Sequence, residues 1–88
     1  MIRHTMMTMT KPVHRVTAAA LRAATSSGAA LARQLGISQS GLCRYGLGDR
    51  TPPPALLRRL ARLLRVQARR LERHAARLEQ EAQKEARR

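Results

Sequence analysis

Apolar positions along this chain fall in short clusters at helical spacing, divided by glycine, serine and proline, and beyond Leu56 they lengthen into one sustained run. Val16, Ala20, Leu21 and Ala24 form a narrow stripe with a period near that of a helix, which predicts a first helix from about Val16 to Thr25. Ser26-Ser27-Gly28 interrupts the stripe, and either serine can cap a following helix. That second helix is predicted from Ala29 to Leu35, because Leu31 and Leu35 stand four apart on one face. Ala32 is small where the next helix has to cross closely. Gly36 follows the last periodic position, where a left-handed backbone costs glycine nothing. Ile37 is expected to plug the core, and Ser38 to cap a third helix from Gln39 to Tyr45. Leu42 and Tyr45 then face inward, Gln39, Ser40, Cys43 and Arg44 face outward, and Gly41 permits a close approach to its backbone.

Gly46-Leu47-Gly48-Asp49-Arg50-Thr51 reads as an exit loop, and Pro52-Pro53-Pro54 as the opening of a fourth helix. Leu56, Leu57, Leu60, Ala61, Leu63 and Leu64 make that helix apolar over most of its circumference, with Val66 expected to close the core. No segment has a strand's alternation, so the fold class is all-α. Met1–Thr10 holds all four methionines without a clean period and predicts a disordered lead.

Charge changes the picture. Lys and Arg number 18 against 5 acidic residues in 88, a net charge of +13, which favours an anionic polymer as partner. A surface built for solubility alone would mix the signs more evenly. Cys43 is the sole cysteine, so no internal disulfide forms and no zinc site with spaced thiols is available. No run is long enough for a signal peptide or a membrane span, and a cytoplasmic protein without a membrane partner is expected. Three His, one Cys and one Asp are scattered, with no Ser/His/Asp cluster or acidic metal site, so neither enzyme activity nor a cofactor is expected. His74 reads as a solvated helical residue.

The pattern Leu31-Ala32, Leu35-Gly36-Ile37-Ser38, Gln39-Ser40, Leu42, Arg44-Tyr45, Gly48, Arg50, Pro52, Leu57, Leu60-Ala61, Leu64 and Val66 resembles the Cro/C1-type, lambda-repressor-like helix-turn-helix family, over about Val16 to Val66. The resemblance implies a domain of four to five helices whose third helix enters the major groove of double-stranded DNA. By position, Gln39, Ser40, Cys43 and Arg44 are then the candidates near bases, and Ser27, Ser38, Arg33 and Arg50 the candidates at phosphates, with Gly36 in the turn. Their chemistry fits: Gln pairs with adenine, Arg with guanine, Ser with either. Gln39 and Ser40 equally suit a helix's first turn, Arg44 equally suits a phosphate, and Cys43 suits packing or a methyl contact better than a redox switch. Two positions depart from the family. Gly46 stands where a Glu is common, leaving the exit loop without that carboxylate. Arg65 stands where a Gly is common, so the fourth helix lacks a stop and can run into the tail.

That tail is the basic C-terminal helix of the reading. From Arg58 to Arg77 there are eight Arg and one acid, Glu72. Leu57, Leu64, Leu71 and Leu78 recur every seven residues, with Ala61, Ala68, Ala75 and Ala82 between them, an Ala/Leu seam at coiled-coil spacing. Leu57, Ala61 and Leu64 belong to the domain core in the family reading, so Ala68, Leu71, Ala75, Leu78 and Ala82 are the free dimer seam, with parallel and antiparallel pairing both open. Arg62, Arg69, Arg70, Arg73 and Arg77 lie off it, as a solvated face or as phosphate contacts. The expected organisation is a disordered arm over 1–12, a helix-turn-helix domain over 13–66 and a dimerising helix over 67–88. The expected function is sequence-specific transcriptional regulation: a repressor that binds a two-fold operator as a homodimer, with no small-molecule ligand. The alternatives are the DNA-recognition module of a phage packaging or plasmid-maintenance assembly, and non-specific nucleic-acid binding through the Arg-rich tail. Few aromatics for base stacking count against the last.

Overall fold

Two left-handed glycines, Gly36 at φ 75° and Gly48 at φ 84°, set the short helices of this chain apart. The computed structural model describes residues 12–87, in which the elements are α1 (Pro12–Ala23), α2 (Gly28–Leu35), α3 (Gln39–Leu47) and α4 (Pro54–Ala86), with no strand among the described residues. The arm expected over 1–12 lies outside the described residues except for Pro12, which is in α1.

Gly36 closes α2 with a paired turn. Its amide donates to Arg33 O at 3.1 Å, and the Ile37 amide donates to Ala32 O at 3.0 Å. Gly48 repeats the device at the end of α3: its amide reaches Tyr45 O at 3.3 Å, and that of Asp49 reaches Arg44 O at 3.0 Å. Both turns satisfy carbonyls that a helix end leaves without partners. At the opposite ends, Ser27 accepts from the Ala30 amide at 3.2 Å and Ser38 from the Gly41 amide at 3.0 Å. Of the two serines that could cap α2, Ser27 does so. Arg59 of α4 donates to Leu35 O at 2.8 Å, placing a cation at the negative end of α2.

α1 packs on α3, α3 on α2, and α2 on α4. Leu31, Ala32, Leu35, Leu42, Leu56 and Leu60 form the buried core, with Ile37 and Tyr45 half-buried against it. Burying each of those leucines contributes roughly 1.5–3 kcal/mol before ordering costs.

Three expectations are corrected. First, α1 begins at Pro12 and ends at Ala23, and its inner face is not the one Val16 occupies. Proline suits a first turn because its missing amide would have had no helical partner. His14 and Thr17 are buried at 6% and 3% exposure, while Val16 is 65% exposed. His14, Thr17, Leu21 and Ala24 share one face, and Val16 lies a hundred degrees away from Thr17. The Thr17 hydroxyl is satisfied by Val13 O at 2.6 Å. His14 Nε2 lies 3.2 Å from Thr51 Oγ1 and ties α1 to the connection before α4, while its buried Nδ1 has no partner among the described residues.

Second, Gly46 and Leu47 belong to α3 rather than to the exit loop. A Cβ on Gly46 would stand 3.3 Å from Leu21 Cδ1, so the missing side chain serves the close packing of α1 on α3. Third, Val66 does not close the core: it is 51% exposed, and the buried residue is Gln67. Leu56, Leu60, Leu63 and Gln67 fall on one face of α4, and Val66 falls beside it. The Gln67 amide oxygen accepts from the Thr25 amide at 2.9 Å, and its nitrogen donates to Ser26 Oγ at 2.7 Å. Gln67 therefore pins the α1–α2 connection to α4.

With no glycine at Arg65, α4 continues without a break to Ala86. Every residue from Ala68 to Arg87 is exposed. A helix of this length measures about 50 Å at 1.5 Å per residue, which accounts for the long axis of the 64 × 32 × 19 Å molecule. No helix among the described residues is long and apolar enough to cross a membrane.

Candidate nucleic-acid interface

α3 is held by its inner side and presents its outer side. Leu42 is buried at 7% exposure, and Tyr45 is half-buried one turn on. Gln39, Ser40, Cys43 and Arg44 are all exposed. Positions separated by one, four and five residues on a helix form a single stripe, so the four candidates stand together on one face. Leu47, one turn beyond Cys43, adds an apolar side chain that is 60% exposed. Sequence reasoning missed Leu47 because it ended the helix at Tyr45. The two-bond Gly48 turn, rather than the bare presence of Gly46, is the signal that would have extended it.

The serine caps bring further candidates to the start of this stripe. Ser38 Oγ lies 3.4 Å from Ser40 Oγ, linking a phosphate candidate to a base candidate. An ideal Cβ on Gly28, next to Ser27, would stand 3.7 Å from Gln39 Nε2, so the Gln39 side chain reaches over the start of α2. Both cap oxygens accept from backbone amides, which leaves the Ser27 hydroxyl proton, and whichever of the Ser38 and Ser40 protons their contact does not use, available for an outside acceptor such as phosphate. Gly41 also has its place here. A Cβ there would approach Ser38 Oγ to 3.0 Å, so the cap hydroxyl is what comes close to that backbone.

Arg33 and Arg50 are exposed but stand off the stripe, Arg33 in the last turn of α2 and Arg50 in the connection between α3 and α4. Beside the stripe, Leu21, Gly28, Leu42 and Gly46 floor a groove of about 360 Å³ whose outer edge is Gln39, Cys43 and Leu47. Cys43 is a free thiol. No three His, Cys, Asp or Glu residues gather at metal-binding distance among the described residues.

The seam candidates Ala68, Leu71, Ala75, Leu78 and Ala82 lie on the projecting part of α4, all exposed and far along the chain from the α3 stripe. Fold and surface together define an all-helical basic protein with a polar helical face held out by a small core. Comparisons with protein-family models, with curated proteins and with solved structures return no match.

Proposed function

We propose that this chain is a sequence-specific DNA-binding regulator of the helix-turn-helix type, with α3 as the helix that enters the major groove. The observation that carries the reading is the exposed stripe of Gln39, Ser40, Cys43 and Arg44, set opposite a buried Leu42. Gln and Arg bear the two side chains that can each meet a base edge with paired hydrogen bonds. Cys43 and Leu47 offer apolar contact to a thymine methyl. Ser27, Ser38, Arg33 and Arg50 supply phosphate contacts that fix the helix in the groove. The net charge of +13 supplies the long-range attraction. A single α3 contacts few bases, so discrimination calls for two copies on a two-fold site, held through the exposed seam of α4. A protein so placed over a promoter represses by excluding polymerase.

Selection of bound sites from random duplex DNA tests this directly, and a two-fold symmetric consensus is expected. Gln39→Ala or Arg44→Ala should then cost roughly 1–3 kcal/mol at the selected site and relax preference at one position in each half. Arg69→Ala and Arg73→Ala should lower affinity for all sequences alike or leave it unchanged. Equal losses on selected and random DNA from the α3 substitutions would remove α3 as the reading helix.

A further inference from the structure

Two rows on α4 extend beyond what the core uses. Leu57, Leu64, Leu71 and Leu78 form one, and Ala61, Ala68, Ala75 and Ala82 the other. Near the domain these rows border α1, where Val16, Thr17 and Ala20 with Leu57, Ala61 and Leu64 line an apolar groove of about 260 Å³. Further on no described residue covers them, and Leu71 and Leu78 are 55% and 71% exposed. Groove and rows make one continuous apolar track along α4, with Val16 at its rim.

The charged edge of this track identifies its occupant. The residue after each seam leucine is Arg58, Arg65, Glu72 and Glu79 in turn. All four are exposed, and none has an ion-pair partner within the described chain. In a parallel helix pair, this edge faces the residues that precede the seam alanines, which are Leu60, Gln67, His74 and Glu81. No arginine meets a carboxylate there. In an antiparallel pair the edge faces itself. With the two helices centred between residues 69 and 70, Arg58 meets the partner's Glu79 and Arg65 meets the partner's Glu72, each twice by symmetry. In that same alignment Ala61 lies against the partner's Leu78 and Ala68 against the partner's Leu71, so every layer joins a large side chain to a small one. A slip of seven residues either way sets Arg65 against its own copy or Glu72 against its own copy.

We propose that two copies of this chain pair antiparallel through α4, each laying Leu78 into the other's groove between α1 and α4. The proposal deepens the two-fold reading above and rests on it, adding the orientation and the docking site.

A spin label at residue 83 of the full chain, in a Cys43→Ser, Gln83→Cys variant, tests it. Residue 83 would lie beside the partner's residue 56, so the two labels should be about 40 Å apart at 1.5 Å per residue. A parallel pair would hold them at roughly the 8–10 Å interaxial distance plus linker length. Charge exchange gives an independent measure. Glu72→Arg with Glu79→Arg, or Arg58→Glu with Arg65→Glu, should each weaken self-association by about tenfold or more, and mixing the two variants should restore it. A short label distance, a monomer by sedimentation, or no rescue on mixing would overturn the proposal. None of these measurements uses DNA. With site selection read on the parent chain, where Cys43 is intact, a short distance with a selected site would remove the orientation alone, and a distance of about 40 Å with no site preference would remove the DNA reading alone.

Discussion

Gln67 is a single polar side chain doing what an aliphatic one was expected to do. It fills the end of the core face of α4, and its two amide atoms also hold Thr25 and Ser26 at 2.9 and 2.7 Å. The backbone there has left α1 and not yet entered α2, so the Thr25 amide has no helical partner to turn to. Ser26 passes the interaction on by donating to Gln34 Oε1 at 3.3 Å, which links the connection to α2 as well. Gln67→Ala should therefore cost roughly 1–3 kcal/mol, the penalty for leaving a part-buried donor without its acceptor. Chemical denaturation of the purified chain would measure the loss. Val66→Ala, one position away and half out in solvent, should change stability by no more than about 0.5 kcal/mol. The reverse ranking would restore Val66 to the core. This pair was illegible in the sequence because a glutamine among arginines looks like tail surface. Only the seven-residue step from Leu60 to Gln67, set against the loop it must face, distinguishes it from its neighbours.

At the scale of elements, the legible features were those with local causes. Ser38 before Gln39 and Gly36 after Leu35 fix their helix ends through bonds to residues three to five positions away, so the chain announces them. The end of α3 was misjudged because two glycines compete for the stop. Gly48 takes the left-handed turn, and Gly46 serves packing against Leu21 instead. The inner face of α1 was illegible for a different reason. Its buried members include His14 and Thr17, polar residues that only the tertiary fold satisfies or encloses. The outward set of α3 was readable because it is the complement of Leu42 and Tyr45 on a short helix. Gly36 is the most exacting of the local positions. Gly36→Val forces a β-branched residue to φ 75° and brings its branches toward Arg59 Nη1, which stands 3.6 Å from an ideal Cβ. A loss of roughly 1–3 kcal/mol is expected from the strained backbone, read as a lower thermal midpoint. An unchanged melt would show that the connection tolerates another route between α2 and α3.

For the whole molecule, the question is why a small domain carries so long a projecting helix. No described residue covers α4 beyond Gln67, yet most helical stability in proteins comes from packing an amphipathic face rather than from propensity. The Lys84–Glu81 ion pair there, at 3.5 Å, is exposed and worth little. The proposed second copy would account for the helix, and its spacing can be set against the proposed DNA site. In the antiparallel pairing, residue 60 of one chain lies beside the partner's residue 79. The two domains then sit about 28 Å apart along the seam at 1.5 Å per residue, close to the roughly 34 Å between successive major-groove faces. Leu71→Glu with Leu78→Glu puts carboxylates into this apolar seam, where each would have to be desolvated without a partner. The expected product is a monomer by sedimentation. Its domain should still fold, because Leu31, Leu35, Leu42, Leu56 and Leu60 all lie upstream of the changes. Affinity for a selected two-fold site should fall steeply, toward that of a single half-site, while affinity for an isolated half-site should stay within a few-fold of the parent's. The half-site arm separates loss of pairing from loss of the α3 surface, since damage to α3 would lower both. A double variant that still sediments as a dimer would place the interface away from Leu71 and Leu78, and with it the reason for the length of α4.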